Sequence, residues 1–192
     1  MSQPKDIAFS CNCGQVQGTL AADAARSGTH LLCHCRDCRV ALLHLEQPDP
    51  APDGVGLFQT TPDQVHFDAG ADRLAAFRLG PKGPFRWYAT CCKAPLFITL
   101  SRPNMPFSSI LVDRVKDRDA LGPVRAQAFI QVPGGTAKHK GAAAMVWRLA
   151  RNMGAARLSG RWKQTPFFDP QTGTPSGPVH VLTKAERDAL YP

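Results

Sequence analysis

The chain has 192 residues, 43% apolar and 20% charged, and its 23 Lys and Arg outweigh 15 Asp and Glu to leave a formal net charge of +8 with six neutral histidines. These proportions exclude a disordered chain, a collagen or a coiled coil as a description of the whole, and the length suits one domain whose core needs no disulfide staples. No apolar run approaches the ~20 residues that cross a bilayer, and the opening MSQPKDIAFSCNCG lacks the charged-then-apolar order of a secretory signal, so a cytoplasmic protein with no membrane partner is expected.

From residue 5 to about residue 132, short strand-like stretches alternate with Gly and Pro: DIAFS, QVQGTL, HLLCHC, VALLHLE, GLFQT, QVHFD, LAAFRL, RWYAT, PLFITL, SSILVD and QAFIQV. A period near two with frequent turn residues predicts mostly antiparallel sheet. QPDPAPDG at 47–54 and LGPKGP at 79–84 read as loops, and nothing repeats at a fixed period. After Gly134 and Gly135 the pattern turns helical over about Lys138 to Ala156. There Met145, Leu149 and Met153, with Val146 alongside, form one apolar stripe expected to contact the core. TPFFDPQTGTPSGP reads as a turn-rich loop, and Thr183 with Glu186 three residues on is a capping box that opens a short last helix. The expectation is a β domain over 1–134 and a basic helical extension over 135–192 packed on it.

Between Ala120 and Phe168 lie eight basic residues (Arg125, Lys138, Lys140, Arg148, Arg151, Arg157, Arg161 and Lys163) and no Asp or Glu. The segment reads either as a solvated helix face or as a docking surface for an anionic small molecule, such as a carboxylate-bearing thiol, or for nucleic acid or another acidic partner. Few aromatic residues interleave with the charges, which counts against single-strand binding.

Seven cysteines fall in three groups: Cys11 and Cys13; Cys33, Cys35 and Cys38; Cys91 and Cys92. A reducing compartment leaves thiols free for metals or chemistry, and clustering of this kind is what a metal site requires. One intervening residue lets Cys11 and Cys13 face one side of an extended segment, with Gly14 permitting a tight turn. Three thiols within CHCRDCR can hold an ion and leave a fourth position for water or substrate, and Arg36 and Arg39 would lower their pKa and offset their charge. His34 reads as a proton carrier or as a packing neighbour of the ligands. Cys91 and Cys92 would point to opposite faces of a strand, share one ion across a tight turn, or form a vicinal disulfide. Unmetallated core thiols and a thiol redox relay are the competing readings.

C-x-C-G-x-V-x-G, then C-H-C-x-x-C-R, then an aromatic-flanked cysteine before A-P-L-F resembles a divergent branch of the glutathione-dependent formaldehyde-activating enzyme family, also called the centromere protein V-like family, over about residues 7–130. The resemblance implies an Mss4-like fold of small antiparallel sheets around zinc. It also implies a structural zinc at positions matched by Cys11, Cys13 and Cys92, and a catalytic zinc at Cys33, Cys35 and Cys38. The third motif departs from the family's F-C-x-x-C-G: Ala89 stands at its first cysteine and Lys93 at its glycine, with Cys91 as the replacement ligand. The implied activity is that of a zinc-dependent carbon–sulfur lyase, similar to S-(hydroxymethyl)glutathione synthase, joining glutathione or another small thiol to formaldehyde or a small aldehyde. The alternative is a non-catalytic zinc-stabilised module whose basic tail contacts nucleic acid or an acidic partner.

Overall fold

In the computed structural model, which describes residues 5–191, the strands and helices run in the order β1 (Ile7–Ser10), β2 (Gln17–Leu20), α1 (Ala24–Ser27), β3 (Thr29–Cys33), α2 (Arg36–His44), β4 (Val55–Thr60), β5 (Val65–Ala69), β6 (Leu74–Arg78), β7 (Phe85–Ala89), β8 (Ala94–Thr99), β9 (Ser108–Leu111), β10 (Ala126–Ile130), β11 (Lys138–Lys140), α3 (Ala142–Leu158), β12 (Val179–Val181) and α4 (Lys184–Leu190). The chain is mainly β, as expected. Its strands form a three-stranded sheet, β1-β2-β5, and a nine-stranded sheet, β11-β10-β3-β4-β9-β8-β7-β6-β12. The larger sheet is mixed rather than purely antiparallel, because β10 runs parallel to β3 and β12 parallel to β6. No helix among the described residues is long and apolar enough to cross a membrane.

Alternation along the strands divides the core between the two faces of the large sheet. Phe58, Leu74, Ala76, Phe85, Trp87 and Ala89 belong to one buried cluster with Ile7, Phe9 and Leu20 of the small sheet. Phe167 joins it, its ring centroid 5.4 Å from that of Trp87 and 5.2 Å from that of Phe97. The intervening residues Leu31, Val55 and Leu57 pack with Cys33 and Cys38, while Phe77 packs with Val40, Leu45 and Leu182. Helix α2 is the element that covers this second face.

VALLHLE, expected as a strand, is the body of α2. Cys35 has an extended backbone, and its Sγ accepts the Cys38 N–H, so the helix begins within the cysteine loop and carries Val40 and Leu45 inward. Its apolar run therefore serves a helix that lies against the sheet. TPFFDP is likewise more than a surface loop: Phe167 and Phe168 are 0% and 4% exposed. Lys138–Lys140 form strand β11, and Gly141, with a left-handed backbone, turns the chain into α3. Met145 packs inward, but Val146 is exposed, so the apolar stripe excludes it. The capping box at Thr183 is formed, with Thr183 N–H donating to Glu186 and the Glu186 N–H donating to the Thr183 hydroxyl. Beyond residue 134 the chain supplies both edge strands of the nine-stranded sheet and buries Ala156, Phe167, Phe168 and Leu182.

Candidate metal centres

The seven cysteines are free thiols gathered into two clusters, Cys11, Cys13, Cys91 and Cys92 in one and Cys33, Cys35 and Cys38 in the other, each with its sulfur atoms within 4.8 Å of one another. Both clusters could hold a metal ion.

The four-thiol cluster joins two turns. Cys11 follows β1 directly, and Gly14, at φ 75°, reverses the chain so that Val16 N–H points back to the Cys11 sulfur at 3.3 Å. Cys91 and Cys92 occupy the turn between β7 and β8, where Cys92 N–H donates to Ala89 O and Lys93 takes a left-handed backbone at φ 54°. The turn decides what strand periodicity left open: both adjacent thiols reach the same cluster, and no disulfide joins them. Sulfur separations are 3.5 Å for Cys11–Cys13, 3.9 Å for Cys11–Cys91, 3.3 Å for Cys13–Cys91 and 4.0 Å for Cys91–Cys92. A tetrahedron with metal–sulfur bonds of about 2.3 Å has edges of about 3.8 Å, so the four sulfurs fit one ion. Burial opposes ionisation of Cys11, but hydrogen bonds from the Val16 amide and from Cys13 and Cys92 prevail and bring its pKa down to about 6. Cys91 goes the other way, to about 12, through desolvation and its hydrogen bonding with Cys13 and Cys11. The cluster is thus built to hold negative charge before all its thiols ionise.

The three-thiol cluster is local. Cys33 ends β3, opposite Val55 of β4 and Ala128 of β10. Cys35 caps α2, and Cys38 lies in that helix's first turn. The Cys33 and Cys35 sulfurs are 3.3 Å apart. Hydrogen bonds from Cys33 and Cys38 lower the Cys35 pKa to about 3, against the opposing effect of burial, with the Cys38 amide and the charge of Arg86 assisting. Cys33, donating to Cys35, is raised to about 11.

Cys33 and Cys35 open into a cavity of about 470 Å³ whose wall also includes His34, Arg36, Pro52, Gly54 and Gln131. Cys38, almost fully buried, lies behind them. Gly54, at φ 83°, is close enough to the histidine ring that a β-carbon there would stand 2.8 Å from His34 Nδ1. His34 lines the cavity, and its Nε2 is buried without a hydrogen-bond partner. The two arginines expected to offset the thiolates are otherwise engaged. Arg39 makes a bidentate pair with Asp49 at 2.8 and 2.7 Å, and Arg36 stacks over the Tyr191 ring at 5.0 Å. Arg36 is part of the cavity lining and has no carboxylate partner among the described residues. The turn residue Gly54 and the distant Gln131 and Arg86 carried no local motif, so the chain's patterning did not mark them.

Of the basic segment, Arg148 donates to Arg26 O and Arg161 pairs with Asp63. Arg125, Lys138, Lys140, Arg151 and Arg157 are exposed, and Trp147 stands among them on α3 at 72% exposure.

Residues 1–179 match a family described as a family of unknown function, DUF6151. The chain belongs to that family. No curated protein matches it. Among solved structures, the crystal structure of a Rhodobacter sphaeroides protein is similar at 18% identity, covering 61% of this chain and 96% of that one with a TM-score of 0.42.

Proposed function

We propose that this DUF6151 member is a two-zinc protein of Mss4-like type, with a closed structural site at Cys11, Cys13, Cys91 and Cys92 and an open site at Cys33, Cys35 and Cys38 that joins a small thiol to a small aldehyde. The observation that carries the reading is the contrast in ligand number: four thiols complete a tetrahedron, whereas three thiols beside a cavity leave one corner free. Lys93 adds support, because at the position aligned with the family's glycine it adopts the left-handed backbone a glycine would take. A reducing cytoplasm suits seven free thiols.

Zinc at the open site would supply Lewis-acid polarisation of a carbonyl and favour the thiolate form of a thiol. The chain's own residues supply the rest. The cavity has room for a thiol of glutathione size, and Arg36 in its lining would take that thiol's carboxylate on leaving the Tyr191 ring. His34, in the cavity lining, would donate or accept a hydrogen bond there once its ring turns toward a bound group. In the reaction the sulfur–carbon bond forms as the carbonyl π bond opens, and the proton lost from sulfur ends on the former carbonyl oxygen. No oxidant is required.

The test is isothermal titration of the zinc-loaded protein with glutathione and with an analogue lacking the thiol, followed by an assay of formaldehyde consumption. Binding that depends on the thiol is expected; no binding at millimolar glutathione removes the substrate class.

A second reading is favoured by Trp147, exposed on a segment with basic residues and no acidic ones: a zinc-stabilised module that docks nucleic acid on α3. It predicts a gel shift that weakens with salt and is abolished by reversing charge at Arg148, Arg151 and Arg157. A shift insensitive to those changes removes it.

A further inference from the structure

Arg86 lies on β7 between Phe85 and Trp87, both buried in the aromatic core, so its side chain takes the other face of the sheet, beneath α2. It is 6% exposed. Its one hydrogen bond is a long one, from Nη2 to the Asp37 carbonyl at 3.4 Å, while Nε and Nη1 are buried with no partner at all. The Asp37 carboxylate, the nearest acidic group in the sequence of α2, is occupied by the Tyr191 hydroxyl at 2.6 Å. Arg86 shares the narrow cleft under α2 with Cys38, Leu42, Phe77 and Ile98.

A guanidinium cannot shed its proton on burial, and a buried charge without a counterion is strongly destabilising. The fold sets this one in the cleft it shares with Cys38, against the cysteine cluster at the start of α2, while the Asp37 carboxylate on its other side holds the Tyr191 hydroxyl and makes no ion pair with it. Three thiolates around a divalent ion would carry one net negative charge. At the four-thiol cluster Cys13 is exposed, and water screens the charge there.

We propose that Arg86 is the built-in countercharge of the open metal site, its guanidinium sealed beneath α2 balancing the anionic centre held by Cys33, Cys35 and Cys38 and so setting that site's affinity for a divalent ion. Arg86 acts through the ligands and is a positioning residue, not a catalytic one. The proposal rests on the metal reading of the three-cysteine cluster, and it replaces Arg36 and Arg39, which lie closer in sequence but have their own partners.

The experiment compares wild type, Arg86→Met and Arg86→Lys, each loaded with zinc and dialysed against a graded chelator, with metal per chain read by elemental analysis and cobalt–thiolate absorption read on parallel samples. Wild type is expected to hold two ions. Arg86→Met should lose one of them at chelator strengths roughly tenfold to a hundredfold lower, the range in which groups behind metal ligands act, and keep the other unchanged. Arg86→Lys, which retains the charge, should stay within a few-fold of wild type. The gain in melting temperature on zinc addition should shrink in Arg86→Met alone. Two equally tight ions in wild type and Arg86→Met would overturn the countercharge and leave the metal reading standing. Loss of both ions together in both variants would mark Arg86 as a packing residue and overturn it too. A wild-type protein with only the four-thiol site filled would sink the open-site reading itself, and Arg86 with it.

Discussion

The two cysteine clusters use the same ligand over very different stretches of chain. Cys11 and Cys91 are 80 residues apart and come from the three-stranded and the nine-stranded sheets, so an ion among their thiols fastens one sheet to the other. Cys33, Cys35 and Cys38 span six residues between β3 and α2, elements already held by the Cys33–Val55 register and by the packing of Val40 and Leu45. Closing the long loop is the costly step for the chain, and a bound metal would offset it; closing the short one costs little. The difference separates a cluster that folding depends on from one that folding merely presents.

The sharpest way to break this comparison is to remove one ligand from each cluster. Structural thiolate sites bind zinc with about 10–16 kcal/mol, comparable to or larger than the whole stability of an ordinary domain. Cys11→Ala, at a position 3% exposed, should therefore abolish the cooperative thermal transition followed by circular dichroism, and chelator should do the same to wild type. A melting temperature within a few degrees of wild type would show that the sheets hold together without the ion.

Cys35→Ser should behave differently. Serine still caps α2, since a hydroxyl accepts the Cys38 N–H as the sulfur does, so the helix keeps its start. The expected outcome is one metal ion fewer per chain, thiol–aldehyde addition reduced to background, and a cooperative melt close to wild type. Collapse of the fold in Cys35→Ser would make both clusters structural.

The three-thiol cluster was legible in the chain because C-x-C-x-x-C is local information, whereas C-x-C marked only half of the four-thiol cluster and the family resemblance alone joined it to the third cysteine group. The geometry of Cys91 and Cys92 was not, since adjacent side chains diverge on a strand and converge in a turn, and only the left-handed Lys93 decides between the two. Strands with turn residues at their ends were readable by period. VALLHLE was not, because its apolar run fits a buried strand as well as a buried helix, and the Cys35 cap that selects the helix is a thiol rather than a usual capping residue. The parallel edges β10–β3 and β12–β6 depend on long-range pairing, and the burial of Phe167, Phe168 and Arg86 on what covers them; none leaves a local signature.

The cavity beside the open cluster can be tested without touching a ligand. Gly54 combines a left-handed backbone with contact against the His34 ring, and a β-carbon there would also stand 3.1 Å from Cys33 O. Gly54→Ala should cost about 1–3 kcal/mol in denaturant unfolding. It should also change the rate at which Cys35 is alkylated while leaving the four-thiol cluster's protection as it was. Equal stability and unchanged alkylation would mean that the Pro-rich loop moves aside and does not define the cavity.

The smallest effect lies at the start of α2, where the tail after α4 is pinned to the helix that carries the open cluster. The Tyr191 hydroxyl donates to the Asp37 carboxylate, and burial, together with that bond and the carboxylate's charge, raises its pKa to about 12 from an ordinary 10.0. A phenol whose pKa is raised on folding contributes stability that is complete below pH 10 and is lost as pH climbs from 10 toward 12, because the unfolded chain ionises first. Wild type should therefore show an alkaline loss of stability in that window, and Tyr191→Phe should lack this component. The group is only partly buried, so the neutral-pH cost of Tyr191→Phe should be about 0.5 kcal/mol. Denaturant unfolding of the two proteins at pH 8 and pH 11 measures both quantities. No difference between them at either pH would show that the ring's packing over Arg36, which phenylalanine keeps, and not the hydroxyl holds the tail to α2.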